Sequence, residues 1–96
     1  MISAPVRWSA VARREFTSAI DYIAAERPMI AEALVERIAA RIETLAGNPL
    51  IGRPGRRQGT REFVLSGTPF LAIYRATREE VLVLRFLHGR QVWPRR

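Results

Sequence analysis

The first half of the chain repeats its apolar residues at helical spacing. Ala12, Phe16, Ala19, Ile20 and Ile23 fall at i, i+4, i+7, i+8 and i+11, one face of a helix, while Arg13, Arg14, Thr17, Ser18 and Asp21 point elsewhere. Ser9, just ahead of this run, is suited to cap it, because its hydroxyl can accept from the first free backbone N–H groups. The spacing predicts a helix from near Ala10 that stops by about Glu26. Pro28 lacks an amide hydrogen and disfavours helical geometry at Arg27, yet fits the first position of a second helix. Ala31, Leu34, Val35, Ile38, Ile42 and Leu45 give that second helix its apolar stripe, with Glu32, Glu36, Arg37 and Glu43 mostly outside it. Gly47 is expected to end it in a left-handed conformation, with Pro49 blocking continuation. The short connection implies an antiparallel hairpin whose two stripes need a further surface to cover.

Beyond a loop rich in Gly, Pro and Arg, from Asn48 to Gly59, the pattern shifts to short β-branched and aromatic runs. Arg61 to Leu65, Phe70 to Ala76 and Val81 to Leu87 read as strands, joined by Ser66-Gly67-Thr68-Pro69 and Thr77-Arg78-Glu79-Glu80. Both connections are short enough for hairpins, so an antiparallel meander is expected, with Val6, Arg7 and Trp8 adding an edge. The fold class is α+β: an N-terminal short strand and a two-helix antiparallel hairpin packed on a three- to four-stranded, mainly antiparallel sheet. With 96 residues, one domain spanning 1–96 is expected.

Composition narrows the chemistry. The chain has no Cys and one His, which excludes disulfides and thiolate or histidine-cluster zinc sites, so no metal and no cofactor are expected. No run approaches the roughly 18 apolar residues of a membrane span, and a cytoplasmic location without membrane attachment is the expectation. The net charge of +7 is one-sided: residues 1–48 carry six Arg against six acids, residues 49–96 ten Arg against three. Such a field attracts nucleic acid or an acidic protein segment. All sixteen basic residues are Arg, which suits bidentate recognition of phosphate or carboxylate and equally fits the codon usage of a GC-rich genome.

Several segments carry a resemblance. Trp8-Ser9 leads into Ala12-Arg13-Arg14-Glu15-Phe16 and Ile20-Asp21-Tyr22-Ile23-Ala24. Ile42-Glu43-Thr44-Leu45 is followed by Asn48-Pro49 and Gly52-Arg53-Pro54, then by Ile73-Tyr74-Arg75 and the closing Val83-Leu84-Arg85-Phe86-Leu87-His88-Gly89-Arg90. In that order the chain resembles, nearly end to end, the ParE-like branch of the RelE/ParE superfamily of type II toxin–antitoxin toxins. The resemblance implies a growth-inhibiting toxin, of the kind that serves plasmid stabilization, neutralised by a cognate acidic ParD-like antitoxin. It also implies one of two targets. ParE-like members poison DNA gyrase and stop replication, whereas RelE-like members cut messenger RNA on the ribosome; a shared scaffold does not choose between them.

Metal-independent RNA cleavage needs a proton-transfer group beside several cations. Arg61, Arg75 and Arg85 lie on the three expected strands, and His88 is the side chain suited to proton transfer near neutral pH. These four are the candidates if the chain is a nuclease. Strict alternation, however, puts Arg85 with Val81, Val83 and Leu87, and His88 with Leu82, Leu84 and Phe86, unless a bulge intervenes. Lys is absent and no Tyr follows Tyr74, so the nuclease pattern is incomplete and no catalytic residue is favoured. His88 also suits fixing the strand end, and Tyr74 and Phe86 suit core packing. Arg53, Arg56, Arg57, Arg61, Arg75, Arg85, Arg90 and Trp93 are the candidates for binding the antitoxin or the target. A non-toxic basic nucleic-acid-binding module is a third reading, supported by charge alone and lacking any recognised nucleic-acid motif.

Overall fold

The computed structural model describes residues 5–90. Strand β1 (Val6–Trp8) leads into helices α1 (Ala10–Ala24) and α2 (Pro28–Gly47), followed by strands β2 (Arg53–Pro54), β3 (Arg61–Val64), β4 (Phe70–Ala76) and β5 (Val81–His88). The strands form one sheet in the order β1-β5-β4-β3-β2, in which only β1 pairs in parallel, with β5. The α+β architecture expected from the pattern is therefore present, with one strand more than anticipated. The extra strand, β2, lies within the Gly- and Pro-rich segment expected to be loop. Pro54 is tolerated there because β2 is the sheet edge, where a missing N–H removes no interior ladder bond.

Ser9 caps α1 as its position suggests: its hydroxyl accepts from the Ala12 N–H at 3.0 Å and donates to the Leu84 carbonyl at 2.8 Å. The helix end at Gly47 differs from expectation. Among the described residues only Gly59 and Gly67 have positive φ. Gly47 remains helical, and Asn48, at φ −139°, closes the helix by donating to the Thr44 carbonyl. Pro49 supplies the reason, since its ring drives the residue before it out of helical geometry without any left-handed step.

Ile38, Ile42 and Leu45 of α2 and Ala12 of α1 pack on Ala72, Tyr74, Val81, Val83 and Phe86 of the sheet, with Phe16, Ala19, Ile20 and Ile23 alongside. Phe86 is surrounded by rings. Its centroid lies 6.0 Å from Trp8, 5.3 Å from Phe16 and 4.8 Å from Phe70, edge-to-face or tilted as ring quadrupoles prefer.

That packing depends on an irregularity which strict alternation does not anticipate. Tyr74 pairs with Val83 and Ile73 with Arg85, leaving Leu84 as an extra residue on β5. The bulge reverses the phase of the strand, so Phe86 joins Val81 and Val83 on the helix-covered face. The expected grouping of Arg85 with Val81 and Val83 is thereby corrected. Arg85 and Leu87 share the opposite face, and because the bulge precedes Arg85, it and His88 still alternate. The bulged carbonyl of Leu84 is satisfied by Ser9.

Candidate functional site

The registers place Arg53, Glu62, Ile73 and Arg85 side by side across β2, β3, β4 and β5, on the sheet face away from the helices. Both arginines of this row are held by carboxylates. Arg53 donates through Nε and Nη2 to Oε1 of Glu62, at 3.2 and 3.0 Å, and Glu62 is buried. Arg85 makes a fork with Glu15 of α1: its Nη2 donates to Oε2 at 2.6 Å and its Nε reaches Oε1 at 3.0 Å. The hydrogen bonds that Arg85 donates to Glu15 raise the Arg85 pKa, locking in the positive charge against the opposing effect of burial.

Glu15 has a second task. Its Oε1 also accepts the Phe86 N–H at 3.0 Å, on the flank of β5 beyond the end of β1. Ser9 and Glu15 thus use side chains to continue hydrogen bonding where the neighbouring strand stops. Substituting Glu15 by alanine strands both Arg85 and this amide, and about 1–2 kcal/mol of stability should be lost on chemical denaturation, the partial exposure of the pair keeping the cost modest. A loss no larger than a few tenths would show the fork to be surface decoration.

The remaining candidates do not gather into one site. Arg61 donates from Nη1 to the carbonyls of Gly52, at 2.8 Å, and Leu50, at 3.2 Å. It therefore braces the segment after α2. Tyr74 completes that brace from inside the core, its hydroxyl donating to the Pro49 carbonyl at 2.7 Å and accepting the Gly52 N–H at 2.9 Å. Burial raises the Tyr74 pKa, with the Gly52 amide and the nearby Arg61 charge pulling the other way. Gly52 has to be glycine for this contact, since an added Cβ would stand 2.7 Å from Tyr74 Cε1 and 2.9 Å from the Glu62 carbonyl oxygen.

His88 ends β5 with Nδ1 accepting the Arg90 N–H at 3.1 Å and its ring edge-on to Phe70. A neutral ring bonded this way carries its proton on Nε2. Arg75 is exposed on β4, and the Arg57 carbonyl accepts both the N–H and the hydroxyl of Thr60 in the turn before β3. Arg53 and Arg56 line a small cavity of about 60 Å³ with Glu62, Leu71, Ile73, Leu87 and Gly89. Trp93 lies outside the described residues. A larger apolar groove, of about 360 Å³, runs between β1 and α2, with Trp8, Phe16, Ile38 and Ile42 in its walls and Glu43 as its charged lining residue.

Glu15 and the groove are the features that sequence reading missed. Glu15 meets Arg85 across 70 positions of chain, a separation at which no periodicity reports.

Known proteins share this architecture. Residues 6–93 match the family model described as the ParE toxin of the type II toxin–antitoxin system parDE. The chain is 38% identical over 89 residues to Y4kP of Sinorhizobium fredii, a protein named as a toxin by inference, covering 93% of this chain and 92% of that one. Its structure is similar to one from the chromosomal ParDE system of P. aeruginosa, with a TM-score of 0.80 and 25% identity over 90% of this chain and 96% of the other. It is also similar to a chain of the RelBE2 toxin–antitoxin complex of Mycobacterium tuberculosis, with a TM-score of 0.62 and 27% identity over 91% of this chain and 99% of that one. The chain belongs to the ParE toxin family of type II toxin–antitoxin systems.

Proposed function

We propose that this toxin acts by binding, as an inhibitor of DNA gyrase that blocks replication, and that it works in the cytoplasm until a cognate acidic, ParD-like antitoxin neutralises it. The observation that carries this reading is the dispersal of the nuclease candidates. Arg85 is committed to Glu15, Arg61 to two loop carbonyls and His88 Nδ1 to a backbone amide. Arg85 and His88 alternate along β5, so a phosphate held by one is not presented to the other. General acid–base catalysis needs its proton carrier within hydrogen-bond reach of the reacting group, beside the charges that stabilise it. An inhibitor needs only a preformed surface.

Two measurements test the proposal together. Purified protein should suppress supercoiling by gyrase and accumulate cleaved gyrase–DNA complexes. His88→Gln should still arrest growth within about twofold of the parent, whereas loss of a true general acid or base costs about a hundredfold or more. Untouched supercoiling at high molar excess, or new codon-phased cuts in translated messages after induction, would overturn the gyrase reading in favour of a ribosome-dependent endoribonuclease.

A further inference from the structure

Residues 1–48 are neutral in sum, with six Arg against six acids, but the charges are not evenly spread over α1. Arg13 and Arg14 are exposed, and among the described residues neither guanidinium has an ion-pair or hydrogen-bond partner. Side chains three and four residues apart are neighbours on a helix. Those neighbours are Ser9, Ala10, Phe16 and Thr17 for Arg13, and Ala10, Val11, Thr17 and Ser18 for Arg14, with no carboxylate among them. Glu15, next in sequence, is held by Arg85 and the Phe86 N–H. Asp21 lies two turns beyond Arg14, about 10 Å along the helix axis. Cations this near a helix N-terminus also work against its dipole, and the first turn holds no acid to offset them. Nothing in the fold accounts for the pair.

Arg13, Arg14, Thr17 and Ser18 together line a shallow depression of about 260 Å³ on the outer surface of α1. Its chemistry selects the ligand. Two guanidinium groups and two hydroxyls offer hydrogen-bond donors, and the lining has neither a carboxylate nor a wholly apolar side chain. Phe16 and Ala19, the apolar residues of this stretch, pack on the core instead. Arg, Ser and Thr are side chains that meet phosphate oxygens along a nucleic-acid backbone, whereas an amphipathic protein segment needs apolar surface beside the charge. Arg53 and Arg85 on the sheet, by contrast, already have their carboxylates. We infer that this face of α1 binds the phosphodiester backbone of duplex DNA, Arg13 and Arg14 supplying charge and Thr17 and Ser18 neutral donors. The inference rests on the gyrase reading for its setting, since a toxin seated on gyrase meets the DNA that the enzyme holds. There α1 helps to retain the cleaved complex by gripping the backbone.

The test uses the full chain and a short fluorescent DNA duplex, with binding followed by anisotropy over a salt series. Arg13→Gln with Arg14→Gln removes the proposed contacts. Arg37→Gln with Arg41→Gln removes the same charge from exposed positions of α2 and serves as the control. Both variants are compared once their circular dichroism matches the parent. The α1 pair should weaken binding at least about tenfold at low salt and reduce the slope of log K against log salt by about 1.5–2, because each lost phosphate contact removes about 0.9. The α2 pair should keep the slope within about 0.5 of the parent. No binding by the parent at low salt, an unchanged slope for the α1 pair, or an equal loss in both pairs overturns the inference. So does an oligoglutamate that displaces the duplex at equal charge, which would assign the face to carboxylates. Added to gyrase, the α1 pair should still bind the enzyme but accumulate at least about fivefold fewer cleaved complexes. Cleaved complexes at the parent's level would remove α1 from the gyrase mechanism. A parent that binds DNA through α1 yet leaves supercoiling untouched would instead sink the gyrase reading and leave the phosphate site standing.

Discussion

Replacing Phe86 by alanine is expected to lower the unfolding free energy by about 3–5 kcal/mol, the range for removing a buried aromatic ring and leaving its cavity. Phe86 is 2% exposed and touches Trp8 of β1, Phe16 of α1 and Phe70 of β4, so its ring ties both ends of the chain and one helix to the sheet centre. No neighbour is free to fill the space, because Trp8 and Phe16 are themselves packed edge-to-face at 5.4 Å. A domain of this size is stable by about 5–15 kcal/mol in all, so the variant should be partly unfolded near physiological temperature. Urea titration measures the effect. Phe86→Leu, which refills most of the volume, should recover more than half of it, whereas a loss below about 1 kcal/mol for alanine would mean the rings repack around the gap.

The second large effect is expected at Tyr74, whose ring is fully buried while its hydroxyl bridges Pro49 and Gly52. Phenylalanine keeps the ring but strands a buried N–H and a carbonyl, at a cost of about 1–3 kcal/mol. The pH dependence has a definite sign. Burial raises the Tyr74 pKa above its ordinary value of 10.0, so the folded state holds the phenolic proton more tightly than the unfolded chain does. The resulting stability is fully present below pH 10 and is lost as pH climbs through the higher folded value. Tyr74→Phe should therefore be less stable at neutral pH and should lack this alkaline loss. Parallel alkaline limbs for the two proteins would show that Tyr74 does not titrate with unfolding.

Tyr74 also fixes the segment that follows α2. The hydroxyl that anchors residues 49–52 in the core turns Leu50 and Ile51 outward. In the same way, Glu15 removes Arg85 from the pool of available cations while completing the flank of β5. One carboxylate thus serves the fold and occupies Arg85.

What the residues alone determined was the set of local elements. Helical periodicity, the Ser9 cap and Pro28 placed α1 and α2, and β-branched runs between turn residues placed β3, β4 and β5, because these signals act between positions a few residues apart. The family was legible for a related reason, its motifs being contiguous. Tertiary structure decided the rest. Pro49 ended α2 through Asn48 where Gly47 had the composition of a left-handed cap. The bulge at Leu84 turned Phe86 into the core, a choice made by the rings of Trp8, Phe16 and Phe70 converging from three other elements. The partners of the arginines were decided at the same level. Arg53, Arg61 and Arg85 look alike in sequence, and only the folded registers assign them to Glu62, to the carbonyls of Leu50 and Gly52, and to Glu15. An ion pair is fixed by where two side chains end in space, which the order of residues along a chain does not encode locally.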